Sequence, residues 1–135
     1  MTGPSSSSPV AARRRLYLAL WVGWAALTFT LTSIPNVSLK VALPGADKLA
    51  HLGFYGVMAF LFVLWRRACG APVARAILQA LCLAALAGCL DEVHQRWIPG
   101  RSCDPLDWLA DTAGGGCGAL VSSLLSVRFP FMITE

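Results

Sequence analysis

LYLALWVGWAALTFTLTSI, residues 16–34, decides the fold: it is nineteen residues without a charge, close to the roughly 20 that a helix needs to cross a hydrocarbon core of about 30 Å. Arg13, Arg14 and Arg15 precede it and Pro35 closes it, because proline cannot continue a helical hydrogen-bond ladder. Outward from this run lie three more, at 52–65, 76–90 and 112–127, of 14, 15 and 16 residues. At ~1.5 Å rise per residue these cover only about 21 to 24 Å, so each must thin a bilayer or draw its polar flanks into it. Composition points the same way. A chain of 135 residues with 56% hydrophobic and 13% charged residues and a mean hydropathy of +0.62 is too apolar for a water-soluble domain of this length. Buried helices of a soluble core are the rival reading, but four such segments with almost no polar face leave too few charges to cover them. A cleaved signal peptide is the rival for residues 16–34; the stretch is longer than a usual signal core and no clear small-x-small cleavage site follows.

The expected fold is all-α: a polytopic membrane protein built as a four-transmembrane-helix bundle, with helices at about 16–34, 47–65, 74–95 and 104–127. Residues 1–12, rich in Pro and Ser, form an expected disordered tail, 13–128 the bundle, and 129–135 a second tail. Pro44-Gly45, Gly70 with Pro72, and Pro99-Gly100 punctuate the connections. Seven basic residues, Arg13, Arg14, Arg15, Arg66, Arg67, Arg75 and Arg128, fall on one side against Lys40, Lys48, Arg96 and Arg101 on the other. This asymmetry places both termini in the cytoplasm. The net charge of +4 is then an orientation signal and a contact for anionic lipid, and no nucleic-acid role is expected. The five cysteines form no C-x-x-C pair or zinc spacing; Cys103 in a connection leaves a pairing with Cys89 open.

Six of the seven acidic residues border the short apolar runs on the non-cytoplasmic side, where charge near hydrocarbon demands a reason. Asp47, His51 and Tyr55 stand at i, i+4 and i+8, one face of the second helix. A carboxylate one turn from an imidazole can hold its tautomer and prepare a general base or metal ligand; an N-cap beside a satisfied histidine is the plainer reading. Glu92 and Gln95 share a face of the third helix, next to Asp91, with His94 and Arg96 pointing elsewhere. Carboxylates at a helix C-terminus oppose its dipole, so Lys48, Arg101, a bound cation or a proton must compensate. Asp104, Asp107 and Asp111 follow at i, i+3 and i+7 on the fourth helix. The first two can cap it, whereas Asp111 lies a turn deeper. Gly114-x-x-x-Gly118 then permits close approach of a neighbouring helix.

These blocks together, Asp47-Lys48-Leu49-Ala50-His51 with Tyr55, Asp91-Glu92-Val93-His94-Gln95 leading to Pro99-Gly100-Arg101-Ser102, and Asp104-Pro105-Leu106-Asp107 with Asp111, Gly114 and Gly118, resemble the VanZ-like membrane proteins over about residues 16–127. The resemblance implies a small multi-helix protein of the bacterial inner membrane, and a named member associated with resistance to the glycopeptide teicoplanin. Asp111 departs from the family pattern, which often carries Asn there.

The functional expectation is an extracytoplasmic polar site that binds or processes a cell-envelope component, lipid-linked or peptidoglycan-related, with membrane lipids as partners. Asp47, His51, Glu92, Gln95, Arg101 and Asp107 are the candidate catalytic residues: His51 as base oriented by Asp47, Glu92 as acid or ligand, Arg101 as clamp for a phosphate or carboxylate. Lys48, Tyr55, Arg101, Asp104 and Asp111 are the candidate substrate-binding residues. The oxygen-rich donor set suits a hard divalent cation better than a thiolate-bound metal. The competing class is a non-catalytic membrane factor whose polar residues form a structural network; a transporter is disfavoured by the lack of a charge near the middle of any helix.

Overall fold

The computed structural model describes residues 8–35 and 45–133; the first seven residues, the stretch with Lys40 and Pro44, and the last two residues lie outside this description. Four helices follow in order: α1 (Pro9–Thr32), α2 (Ala46–Ala68), α3 (Val73–Gln95) and α4 (Pro105–Arg128), with a short 3₁₀ turn, Pro130–Met132. No strand occurs among the described residues. Two helices, α2 and α3, are long and apolar enough to cross a membrane.

The helices begin and end for identifiable reasons. α1 starts well before the apolar run, because the Ser8 side chain caps it by accepting from the Ala11 amide and Pro9 suits the first turn. Residues 9–12 of the expected disordered tail are thus helical, and Arg13 to Arg15 ride on the helix. α1 stops at Thr32, two residues before the expected end, since the residue preceding Pro35 is pushed out of the helical region. α2 runs three residues past its expected end and carries Arg66 and Arg67 in its last turn, favourable to the helix dipole. The turn to α3 uses Gly70 at φ 85°, a conformation open to glycine. Asp104 caps α4 by accepting from the Leu106 amide.

α4 lies along α2 in the most extensive helix contact, packs also on α3, and α1 flanks α2. The α2–α4 approach depends on missing side chains. A Cβ on Gly114 would strike the Leu52 carbonyl, and one on Gly118 the Gly56 carbonyl, so these backbones touch as the glycine spacing predicts. Ala59, Ala76, Ala80 and Ala119 with Phe62 and Val63 fill the centre, and Trp21 and Trp65 close it on the α1 side. Trp24 Nε1 donates to the Phe54 carbonyl at 2.9 Å and Arg14 Nε to the Ala68 carbonyl at 2.7 Å, fastening α1 to α2 near its middle and its start. All five cysteines, Cys103 and Cys89 included, are unpaired.

Candidate functional site

The acidic residues gather at one end of the bundle, where α1 ends, α2 and α4 begin and α3 ends. His51 is held there, but not by Asp47. Its Nδ1 lies 3.0 Å from Asp111 Oδ1, while Asp47 is half exposed and ion-paired with Lys48 at 3.1 Å. Asp47 sits in the first turn of α2 and its carboxylate pairs with Lys48, so its i, i+4 spacing to His51 does not become a hydrogen bond. Asp111 reaches His51 from α4 because Gly88 on α3 leaves room: a Cβ there would stand 2.8 Å from Asp111 Oδ2. Asp111 is wholly buried. A carboxylate only accepts, so in the neutral imidazole Nδ1 carries the proton and Nε2 keeps its lone pair. Nε2 faces Asp107 Oδ2 at 3.9 Å.

Lys48 holds the mouth of α4. Its Nζ donates to Asp104 Oδ2 and Asp107 Oδ1, each at 2.9 Å. That hydrogen bond and the one from the Leu106 amide keep the Asp104 carboxyl below the usual aspartate range. Asp107 is therefore no helix cap; it is buried between Lys48 and His51.

The carboxylates of α3 are compensated mainly by neutral donors, not by Lys48 or Arg101. Glu92 Oε2 accepts the Asp104 backbone N–H at 2.7 Å. Asp91 accepts from the Thr32 hydroxyl at 2.7 Å and from Gln95 Nε2 at 3.2 Å. Glu92 is 3% exposed, yet its Oε1 has no hydrogen-bond partner among the described residues, and neither has Asp111 Oδ2. One donor atom each from His51, Glu92 and Asp107 lie within 4.8 Å of one another. Arg101 follows Gly100, whose φ is 78°, and reaches across to the end of α1, donating to the Leu31 carbonyl at 3.0 Å and the Ile34 carbonyl at 3.4 Å. It thereby satisfies carbonyls that a helix C-terminus leaves open. His94 turns away from the cluster, as expected, onto Ser33 and the ring of Phe29.

Between α1, α2 and the connection at 96–104 lies a cavity of about 620 Å³, within the range of small-molecule sites. Thr28, Leu31, Ile34 and Phe54 give one part of its wall; Asp47, His51, Tyr55, Gln95, Arg101 and Asp107 give the other. Of the expected residues, Lys48, Glu92, Asp104 and Asp111 do not line it. Asp91, Thr32 and Gly88 belong to this end of the bundle without being among the expected site residues. Asp91 and Gln95 are spaced i, i+4, which signals their contact, and Thr28 and Thr32 are likewise the polar positions of one α1 face. For Gly88 no sequence signal distinguishes it from other helical glycines.

The VanZ/LLP1 family matches residues 5–126, nearly the whole chain and every residue of the cluster. No curated protein and no solved structure matches the chain.

Proposed function

This chain belongs to the VanZ/LLP1 family, and from that membership we propose that it is a four-span membrane protein whose polar-end cavity binds an amphipathic cell-envelope component, lipid-linked or peptidoglycan-related. The observation that carries this is the two-sided cavity. An acyl or prenyl chain fits against Leu31, Ile34 and Phe54, while an anionic headgroup meets Arg101, Gln95 and His51. Burial supports the membrane setting for all four helices. Asp91, Glu92, Asp107, Asp111 and three serines are inside, and leucines of α1, α3 and α4 cover the outside, the inverse of a protein solvated by water. The distribution of Lys and Arg favours cytoplasmic termini and an outer polar end in a bacterial inner membrane. With no cation on its Nε2, His51 oriented by Asp111 is the base for chemistry on the ligand, and the cavity supplies the place for it.

The test is retention of ligand by the purified full-length chain in nanodiscs, read by native mass spectrometry with a polyprenyl phosphate against a zwitterionic phospholipid. Wild type retains the polyprenyl phosphate, and His51→Ala and Arg101→Gln lose at least about tenfold in retention at equal membrane level. Equal retention by wild type and both variants sinks the reading. Impermeant-maleimide labelling of single-cysteine chains checks orientation, with Cys103 labelled from outside and Cys69 protected. Expression in a glycopeptide-susceptible host tests the resistance link separately.

A second reading, a structural network without ligand, is favoured by Lys48 and Arg101, both already engaged with protein groups. It predicts that Arg101→Gln lowers protein level in step with any phenotype.

A further inference from the structure

We infer that the polar end holds one divalent transition-series cation, of the Mn²⁺ or Zn²⁺ class, bound by His51 Nε2, Glu92 and Asp107, with Asp111 as the positioning residue behind the imidazole. The three side chains come from three different helices, α2, α3 and α4, and their donor atoms lie within 4.8 Å of one another. Around an ion with bonds of ~2.1 Å, donors stand about 3.0 to 4.2 Å apart, so closing the site needs less than about 1 Å of side-chain movement.

Two further features point to a cation and not merely to an acidic cluster. Glu92 is almost fully buried, and its Oε1 has no hydrogen-bond partner among the described residues; an orphaned carboxylate oxygen in that setting is unfavourable unless a cation or a proton meets it. Lys48 does not, because its ammonium is spent on Asp47, Asp104 and the far oxygen of Asp107. The second feature is the Asp111–His51 hydrogen bond at 3.0 Å. A carboxylate on the rear nitrogen of a ligating histidine is the common supporting arrangement in metal sites: it fixes the tautomer and raises the basicity of the front nitrogen. Here it aims Nε2 toward Asp107. One imidazole and two carboxylates match the borderline-to-hard ions and exclude a thiolate-type site.

Metal uptake is measured without any lipid ligand, and ligand retention can be measured in chelator, so loss of either reading leaves the other standing. The full-length chain in detergent is stripped with EDTA and titrated with Mn²⁺, followed by the loss of the free-ion electron paramagnetic resonance signal and by thermal unfolding; Zn²⁺ is the competitor. The expected result is one Mn²⁺ per chain, displaced by Zn²⁺, with a raised Tm. Glu92→Gln, which keeps shape and removes the charge, weakens binding by at least about tenfold, and Asp111→Asn by about tenfold. His94→Ala, which removes the chain's other histidine, leaves affinity unchanged. Absence of stoichiometric binding of either ion overturns the proposal, as does equal affinity in the Glu92→Gln, Asp111→Asn and His94→Ala chains. In that event protons, Lys48 and the hydrogen bonds already described hold the carboxylates.

Discussion

Helices α1 and α4 have the same length, 24 residues, and opposite relations to the rest of the molecule. α4 buries a whole face, from Asp107 and Asp111 through Gly114, Gly115 and Ala119 to Ser122, Ser123 and Ser126, and its backbone touches that of α2. α1 buries only Thr28 and turns its leucines outward; aromatic contacts and a few hydrogen bonds at its start, middle and end attach it. The contrast separates the part of the molecule that builds the charged cluster from the part that walls the cavity. α4 with α2 and α3 sets the distances among His51, Glu92, Asp107 and Asp111. α1 supplies Thr28, Leu31 and Thr32 to the cavity, with Ile34 just beyond its end, and can be displaced at lower cost.

The largest break in that comparison comes from glycine. Gly118→Leu forces α4 off the Gly56 carbonyl and is expected to cost about 3 kcal/mol or more, seen as loss of the folded state in detergent unfolding. Gly23→Leu on α1, where nothing lies within 4 Å of a new Cβ, changes stability by less than about 1 kcal/mol in either direction. Equal effects would show that α1 is packed as tightly as α4.

Next is the buried aspartate. Asp111→Ala removes a hydrogen bond at 3.0 Å and leaves the His51 Nδ1–H unpaired, a loss of about 2 to 3 kcal/mol, whereas Asp47→Ala, at an exposed pair, shifts stability by about 0 to 1 kcal/mol. Chemical denaturation of the two variants side by side reads the difference, and the reverse order would restore Asp47 as the partner of His51.

Smaller still is the α1 attachment. Trp24→Phe keeps the ring and removes the Nε1 donation to Phe54, expected to cost about 1 kcal/mol and to increase amide exchange in α1 without touching α4. The smallest effect is a pH dependence. The Asp104 carboxyl is lowered by Lys48 and by the Leu106 amide, so its contribution is present above the ordinary aspartate range and is lost as pH falls through the lowered value. In the Asp104→Asn chain the acid flank of the Tm against pH curve flattens; an unchanged flank would mean that Lys48 adds nothing there.

Much of this arrangement was legible in the residues. The four helices fall within a few positions of the ends expected from apolar run length, proline and charge, with the early start of α1 as the exception, because Ser8 and Pro9 form a helix start that a Pro/Ser-rich composition conceals. The touch between α2 and α4 was legible in Gly114 and Gly118. The gathering of His51, Gln95, Arg101 and Asp107 at one end was legible in their placement beside the connections. The partner of His51 was not. Spacing ranks Asp47 first, since it considers one helix at a time, while Asp111 arrives from sixty residues away through space that Gly88 leaves open. The same holds for Arg101: its charge suggested a ligand clamp, and the end of α1 takes two of its donors.

The sequence by itself therefore determined the helices and the end at which charge collects, because a segment's apolar length, its caps and its breakers act within the local backbone. Tertiary structure alone decided which charge answers which. A buried carboxylate pairs with whatever donor close packing brings within about 3 Å, and that depends on the crossing of three helices, which no single stretch of the chain encodes.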